Sequence, residues 1–297
     1  MSLGQTISCG VYMYSKRLFI SVFALFFTAQ AFADLLRVSP EWLKSKLNDK
    51  DLIILDSRSA EEYADNHIAG AISFPDSLTY QQKTIGGEIV EPDIMQRLLR
   101  ERGIDYGKTI LVYDAGQLMD ASRVFWALEV YGLKNVKILN SGFKHWDSKN
   151  YPISAEVPAI KPSNYVVSID HRRIASKFST QLATVNPNQI IVDARPADNY
   201  AGKKSTAKRF GHIPTAINIP IYEHFEMKDG ERTLHGLEKL KQLYTQLPQG
   251  SKIVTYCEYG RASSTVYLTL RELGYDVSNY DASWREWAND LSLPIEK

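Results

Sequence analysis

The chain states one pattern twice, and that duplication limits its fold more than any other feature. Ile54-Leu55-Asp56-Ser57-Arg58 returns as Ile191-Val192-Asp193-Ala194-Arg195. His67-Ile68-Ala69-Gly70-Ala71-Ile72-Ser73-Phe74-Pro75 returns as His212-Ile213-Pro214-Thr215-Ala216-Ile217-Asn218-Ile219-Pro220. Ile110-Leu111-Val112-Tyr113 matches Ile253-Val254-Thr255-Tyr256, and Gly142-Phe143-Lys144-His145-Trp146 echoes Ala282-Ser283-Trp284-Arg285-Glu286-Trp287. Matched blocks in one order mark a duplicated unit. Between the copies, Tyr151 to Asn164 carries Pro152, Pro158 and Pro162 and no helical period, so it reads as an extended linker. The expected organisation is one domain over 34–150, a linker over 151–164 and a second domain over 165–297.

Within each copy, short β-branched runs alternate with amphipathic stretches. Leu52–Leu55 and Ile110–Tyr113 are continuous apolar runs of the length expected for strands buried on both faces. The helical pattern through Ala121, Phe125 and Leu128 stops at Gly132, and its counterpart through Ala262, Val266 and Leu270 stops at Gly274. The fold class is therefore α/β: two tandem domains, each a parallel sheet flanked by helices. In such sheets the loops after the carboxyl ends of the strands form the ligand crevice.

The amino terminus reads differently. Lys16 and Arg17 precede the apolar run from Leu18 to Phe27, and Ala31-Phe32-Ala33 supplies a small-x-small cleavage pattern. This predicts a secretory signal peptide over 1–33, cut before Asp34, with Met13 as an alternative start. The protein is then periplasmic or secreted, with no stable membrane association after cleavage. Cleavage would also remove Cys9 and leave Cys257 as the single cysteine, unable to form an internal disulfide. With 35 basic and 34 acidic residues in all, the balance points to no nucleic-acid partner.

Cys257 opens the run Cys257-Glu258-Tyr259-Gly260-Arg261-Ala262-Ser263, between a strand pattern and a helix pattern. Backbone N–H groups converge at such a place and the helix dipole favours an anion, so a thiolate there is stabilised. That is the layout of a nucleophile. Gly260 allows positive φ and a close approach of backbone to sulfur. Arg261 offers a fixed positive charge for a sulfonate-like group.

Taken together, these blocks resemble the tandem-domain rhodaneses, the thiosulfate and 3-mercaptopyruvate sulfurtransferases. The likeness covers roughly Leu36 to Pro294 and rests on Asp-x-Arg, His-Ile-x-x-Ala, the Cys-x-x-Gly loop and the closing Tyr280-Asp281-Ala282-Ser283-Trp284-Arg285-Glu286-Trp287. It implies that Cys257 takes a sulfane sulfur from thiosulfate as a persulfide and passes it to cyanide or a thiol. It implies no cofactor and no metal, and a catalytic second copy beside a first copy that lacks the cysteine. Asp114 takes that place in the first copy. The donor site is expected among Glu258, Tyr259, Gly260, Arg261, Ala262, Ser263 and Arg209.

Several residues depart from the family pattern. Glu258 and Tyr259 stand where thiosulfate enzymes of this family place basic residues. Asn199 stands where its animal members carry a substrate-binding arginine. The run Lys203, Lys204, Lys208, Arg209 is expected to substitute, with Arg209 nearest the His212 segment. Asp56, Arg58, Asp193, Arg195, His67 and His212 occur in both copies, which assigns them to structure. Cysteine-dependent phosphatases of this fold use Cys-x5-Arg, and Ser263 occupies that arginine's place. Two alternatives stay open: a 3-mercaptopyruvate sulfurtransferase, or a module that carries sulfur for a protein partner without turnover.

Overall fold

A computed structural model describes residue 1 and residues 36–81, 86–228, 231–248 and 250–297. Beyond Met1, the leader expected over 1–33 lies outside the described residues. The first copy begins β1 (Arg37–Val38), α1 (Pro40–Lys46), β2 (Leu52–Asp56), α2 (Ala60–Asp65), β3 (His67–Ile68) and β4 (Ile72–Ser73). It continues through α3 (Pro92–Glu101), β5 (Thr109–Tyr113), α4 (Met119–Val130), β6 (Val136–Leu139), α5 (Phe143–Ser148) and β7 (Ile153–Ser154). The second copy runs β8 (Ile174–Ala175), α6 (Lys177–Ala183), β9 (Gln189–Asp193), α7 (Ala197–Tyr200) and β10 (Ile217–Asn218). An antiparallel hairpin of β11 (Phe225–Lys228) and β12 (Glu231–Leu234) follows, then α8 (Leu237–Leu243), β13 (Lys252–Tyr256), α9 (Ala262–Glu272), β14 (Asp276–Tyr280) and α10 (Ser283–Asn289).

The two sheets have one topology. The first is ordered β1-β6-β5-β2-β4 and the second β8-β14-β13-β9-β10, with every neighbouring pair parallel. The apolar runs fall on the central strands, where Ile54 pairs with Leu111 and Ile191 with Val254. Local chemistry sets the helix ends. Ser39 accepts the Trp42 N–H ahead of α1, and Ser59 with Glu62 closes a capping box on α2. Helices α4 and α9 end two residues before Gly132 and Gly274, as the sequence pattern expects. The Tyr151–Asn164 stretch holds no helix, and β7 within it pairs antiparallel with β3.

Helices α4 and α9 meet in a core shared by both domains, with Val124 and Leu128 facing the same cluster as Val266, Leu270 and Cys257. Residues Ala121 to Val130 of α4 are all buried, as befits a helix between two sheets rather than at a surface. Its charges are therefore partnered: Glu129 accepts from Arg271 at 3.0 Å and from Tyr267 at 2.5 Å. Each domain closes its far side around a fully buried tryptophan. Trp146 Nε1 donates to Pro152 O at 3.0 Å, and Trp287 Nε1 to Pro294 O at 2.8 Å. None of the described helices is long and apolar enough to cross a membrane.

Under the loops, both copies carry the same polar brace. Arg58 grips Asp56 at 2.6 Å and Arg195 grips Asp193 at 2.7 Å, each through Nη2 and with Nε reinforcing. Tyr113 and Tyr256 donate their hydroxyls to those carboxylates at 2.5 Å and accept the N–H of Ile68 and Ile213 at 3.1 Å. His67 stacks on Tyr63 at 3.9 Å and His212 on Tyr200 at 3.8 Å. Each histidine's Nδ1 faces a tyrosine carbonyl at 2.9 Å, and His67 Nε2 also faces the Glu156 carbonyl at 3.2 Å. Recurrence with and without the cysteine makes this brace structural, a buried network that fixes the strand ends.

Candidate active site at Cys257

Cys257 is the first residue after β13, at the carboxyl edge of the second sheet, and is 4% exposed. Its Sγ accepts the Gly260 N–H at 3.2 Å. The loop is anchored on the start of α10: Cys257 N donates to Ser283 Oγ at 3.2 Å, and Trp284 N donates to Cys257 O at 3.1 Å. Gly260 turns the chain back toward sulfur at φ +83°, and a Cβ there would lie 2.5 Å from the Asp281 carbonyl oxygen. Only glycine fits such a turn.

A pocket of about 120 Å³ opens at the sulfur. Cys257, Glu258, Tyr259, Arg261 and Ala262 line one side, and Ala194, Arg195 and Pro196 behind β9 line another. Ile221 and Met119 complete it, the latter from the first domain. Larger crevices of about 510, 960 and 970 Å³ have no cysteine among their lining residues, so chemistry rather than size selects this one.

Four of the six expected loop residues other than Cys257 line this pocket, and Gly260 reaches the sulfur through its N–H. Ser263 does not line it: the residue is wholly buried on α9. Arg209 departs furthest from expectation. Its guanidinium donates to the carbonyls of Ala288, Leu293, Trp287 and Asp290 at 2.6–3.0 Å, so it clasps the end of α10 instead of facing the thiol. Carbonyls left unpaired at a helix end attract a cation. Asn199 sits on the short α7 and does not line the pocket.

The charges around the thiol are already engaged. Arg261 is bound by Asp120 of α4 and lies 4.0 Å from Asp76. Burial works against its charge, but these two carboxylates outweigh it and hold the guanidinium above its ordinary pKa. Burial, and then the charge of Asp120, push the Asp76 carboxyl up to about 6. Glu258 accepts a hydrogen bond from Thr206 and lines the pocket. Arg195 is 2% exposed and keeps one buried nitrogen, Nη1, without a hydrogen-bond partner. Among the described residues, no three His, Cys, Asp or Glu side chains gather as a metal site.

Sequence reading missed Met119, Asp120, Asp76 and Ile221, because no local motif marks a residue that reaches the site from another segment. Arg195 was read as structural only, and the structure adds a place in the pocket wall.

Fold and site define a two-domain α/β protein with a cysteine at a strand-end pocket, a class that comparison with known proteins narrows to one family. The rhodanese-like domain model matches residues 39–149 and again 175–290. The chain is a sulfurtransferase of the rhodanese family. It is 31% identical over 272 residues to a protein of Mycobacterium bovis named putative thiosulfate sulfurtransferase 1, covering 87% of this chain and 96% of that one. It is 27% identical over 278 residues to the 3-mercaptopyruvate sulfurtransferase of Escherichia coli, covering 87% and 97%. The crystal structure of SseA from Escherichia coli, a 3-mercaptopyruvate sulfotransferase with the rhodanese fold, superposes with a TM-score of 0.75 at 25% identity, covering 84% of this chain and 99% of that one.

Proposed function

We propose that the chain is a thiosulfate sulfurtransferase working through a persulfide on Cys257. The observation that carries this reading is the Cys257 sulfur held at 3.2 Å from the Gly260 N–H on a pocket floor. The Cys257 thiolate attacks the outer sulfur of thiosulfate. The S–S bond of the donor breaks, and sulfite leaves with the bonding pair. Cyanide or a thiolate then attacks the terminal sulfur of the persulfide and returns Cys257 as thiolate. The Gly260 N–H and the start of α9 supply the partial positive charge that a sulfur anion needs, without a metal.

Intact mass after incubation with thiosulfate, and again after cyanide, tests this. A gain of one sulfur that cyanide removes as thiocyanate supports it. A gain from 3-mercaptopyruvate but none from thiosulfate moves the enzyme to the other donor. A persulfide that persists with cyanide and thiols, and passes only to a protein, makes the chain a carrier. No sulfur uptake from either donor overturns the reading. We also propose export: N-terminal sequencing of the protein from the cell envelope should begin at Asp34, and an intact Met1 or Met13 on soluble cytoplasmic protein would refute it.

A further inference from the structure

The first domain lacks the nucleophile, yet it reaches the pocket with more than a wall. Met119 lines the cavity, and the next residue, Asp120, binds Arg261 through both Nε and Nη2. Arg261 is the only basic residue between Cys257 and Ser263, so it is the only cation the catalytic loop can offer a donor. Asp76, also from the first domain, lies 4.0 Å from the same guanidinium.

The other cation of the pocket is spent in much the same way. Arg195 gives Nε and Nη2 to Asp193, and Nη2 also donates to the Gly211 carbonyl, which leaves Nη1 alone. Two guanidinium groups thus face Asp120, Asp76, Asp193 and Glu258. A small dianion entering here must compete with carboxylates already seated on Arg261. A donor with one negative charge gives up less. The side chains of Arg261 and Asp120 are 32% and 25% exposed, so the pair sits at the rim, where a donor meets it first.

We propose that Asp120 is a specificity-determining residue: by occupying Arg261 it weakens capture of dianionic sulfur donors relative to monoanionic ones. This rests on the sulfurtransferase reading and adds a donor preference to it. Releasing Arg261 should help thiosulfate far more than 3-mercaptopyruvate, because the attraction of a fixed charge scales with the charge it meets.

The test is steady-state kinetics of Asp120→Asn with both donors and cyanide as acceptor, beside the wild type. Asp120→Asn is expected to lower KM for thiosulfate about tenfold, a shift of the size one partly screened charge can produce. The KM for 3-mercaptopyruvate should fall by about threefold or less, since a single charge meets the same field. Asp120→Ser should behave alike, which separates loss of charge from a fault of one side chain, and far-ultraviolet circular dichroism checks folding. In an Arg261→Ala background the gain from Asp120→Asn should shrink. An unchanged or raised KM for thiosulfate in both variants, with wild-type turnover intact, overturns the role of Asp120 alone. No sulfur uptake from either donor by wild type or variants removes the sulfurtransferase reading, and this proposal with it.

Discussion

The two domains share a scaffold and part company within one loop. In the second, the strand-end residue is Cys257, with sulfur facing the Gly260 N–H at 3.2 Å. In the first it is Asp114, whose carboxylate accepts from Gly116 N at 2.8 Å and Ala121 N at 3.4 Å. The placement is equivalent: Phe143 N donates to Asp114 O just as Trp284 N donates to Cys257 O. The backbone paths differ. The first loop takes positive φ at Gly116 and Leu118, the second at Gly260. The first loop also closes against Gly142, where a Cβ would fall 1.9 Å from Gly116 N, while the matching position holds Ser283, which caps Cys257. The two loops thus differ in the whole turn as well as in the residue at its start. The brace under the loops is common to both copies, and the loop is where they differ.

The comparison breaks most sharply at the thiol itself. Cys257→Ser should abolish persulfide formation, with a loss of turnover of at least about a thousandfold, and leave the fold intact. Asp114→Cys, added to the wild type, should bring no second sulfur in intact mass, because the first loop lacks the Gly260-type turn. Uptake of two sulfurs would show that residue identity alone separates the copies.

Next in size is the brace. Arg58→Ala and Arg195→Ala each strand a fully buried aspartate, and each should cost about 3–5 kcal/mol in urea unfolding. Costs that differ by more than about 2 kcal/mol would deny the equivalence of the two frames.

A smaller contrast lies one turn further on, where the short 3-10 helix ends in Thr79 in the first copy and His224 in the second. Burial pushes His224 down to about 4. Its Nε2 accepts from Tyr244 and its Nδ1 faces the Pro220 carbonyl, so it is held neutral. Between pH 6.5 and 4 the unfolded chain binds a proton there that the folded chain does not. This contribution to stability is present above pH 6.5 and is lost as pH falls to 4, by about 3 kcal/mol in all. His224→Gln should flatten that part of the stability-versus-pH curve, and an unchanged slope would count against the assignment.

The smallest effect is expected at Asp114→Ala. The buried N–H of Ala121 and the part-buried N–H of Gly116 lose their acceptor, which costs about 1–2 kcal/mol of stability, while turnover stays within about twofold of wild type. A larger loss of turnover would mean that the first loop supports the second.

Much of this was legible in the sequence because the signals were local or repeated. The apolar runs became β2 and β5 with their counterparts β9 and β13, the helices stopped before their glycines, and Asp-x-Arg paired within itself over two residues. Arg209 and Arg261 were not legible in the same way. Both are arginines near the cysteine in sequence logic, yet one clasps carbonyls 78–84 residues away and the other a carboxylate 141 residues away. A guanidinium is long, flexible and satisfied by any nearby oxygen, so its partner is chosen by whatever the fold brings alongside.

The sequence by itself determined the duplication, the α/β class of each copy and the place of the cysteine in a strand-end loop, since periodicity, turn residues and a lone cysteine act through a few neighbouring residues. Only the tertiary structure decided which cations remain for a donor and that the cysteine-free domain helps to wall the pocket. The pairing of Arg261 with Asp120 and the placing of Met119 in the wall follow from packing α4 against α9, and Arg209 is taken by the end of α10; these are contacts between segments that carry no record of each other in their local order.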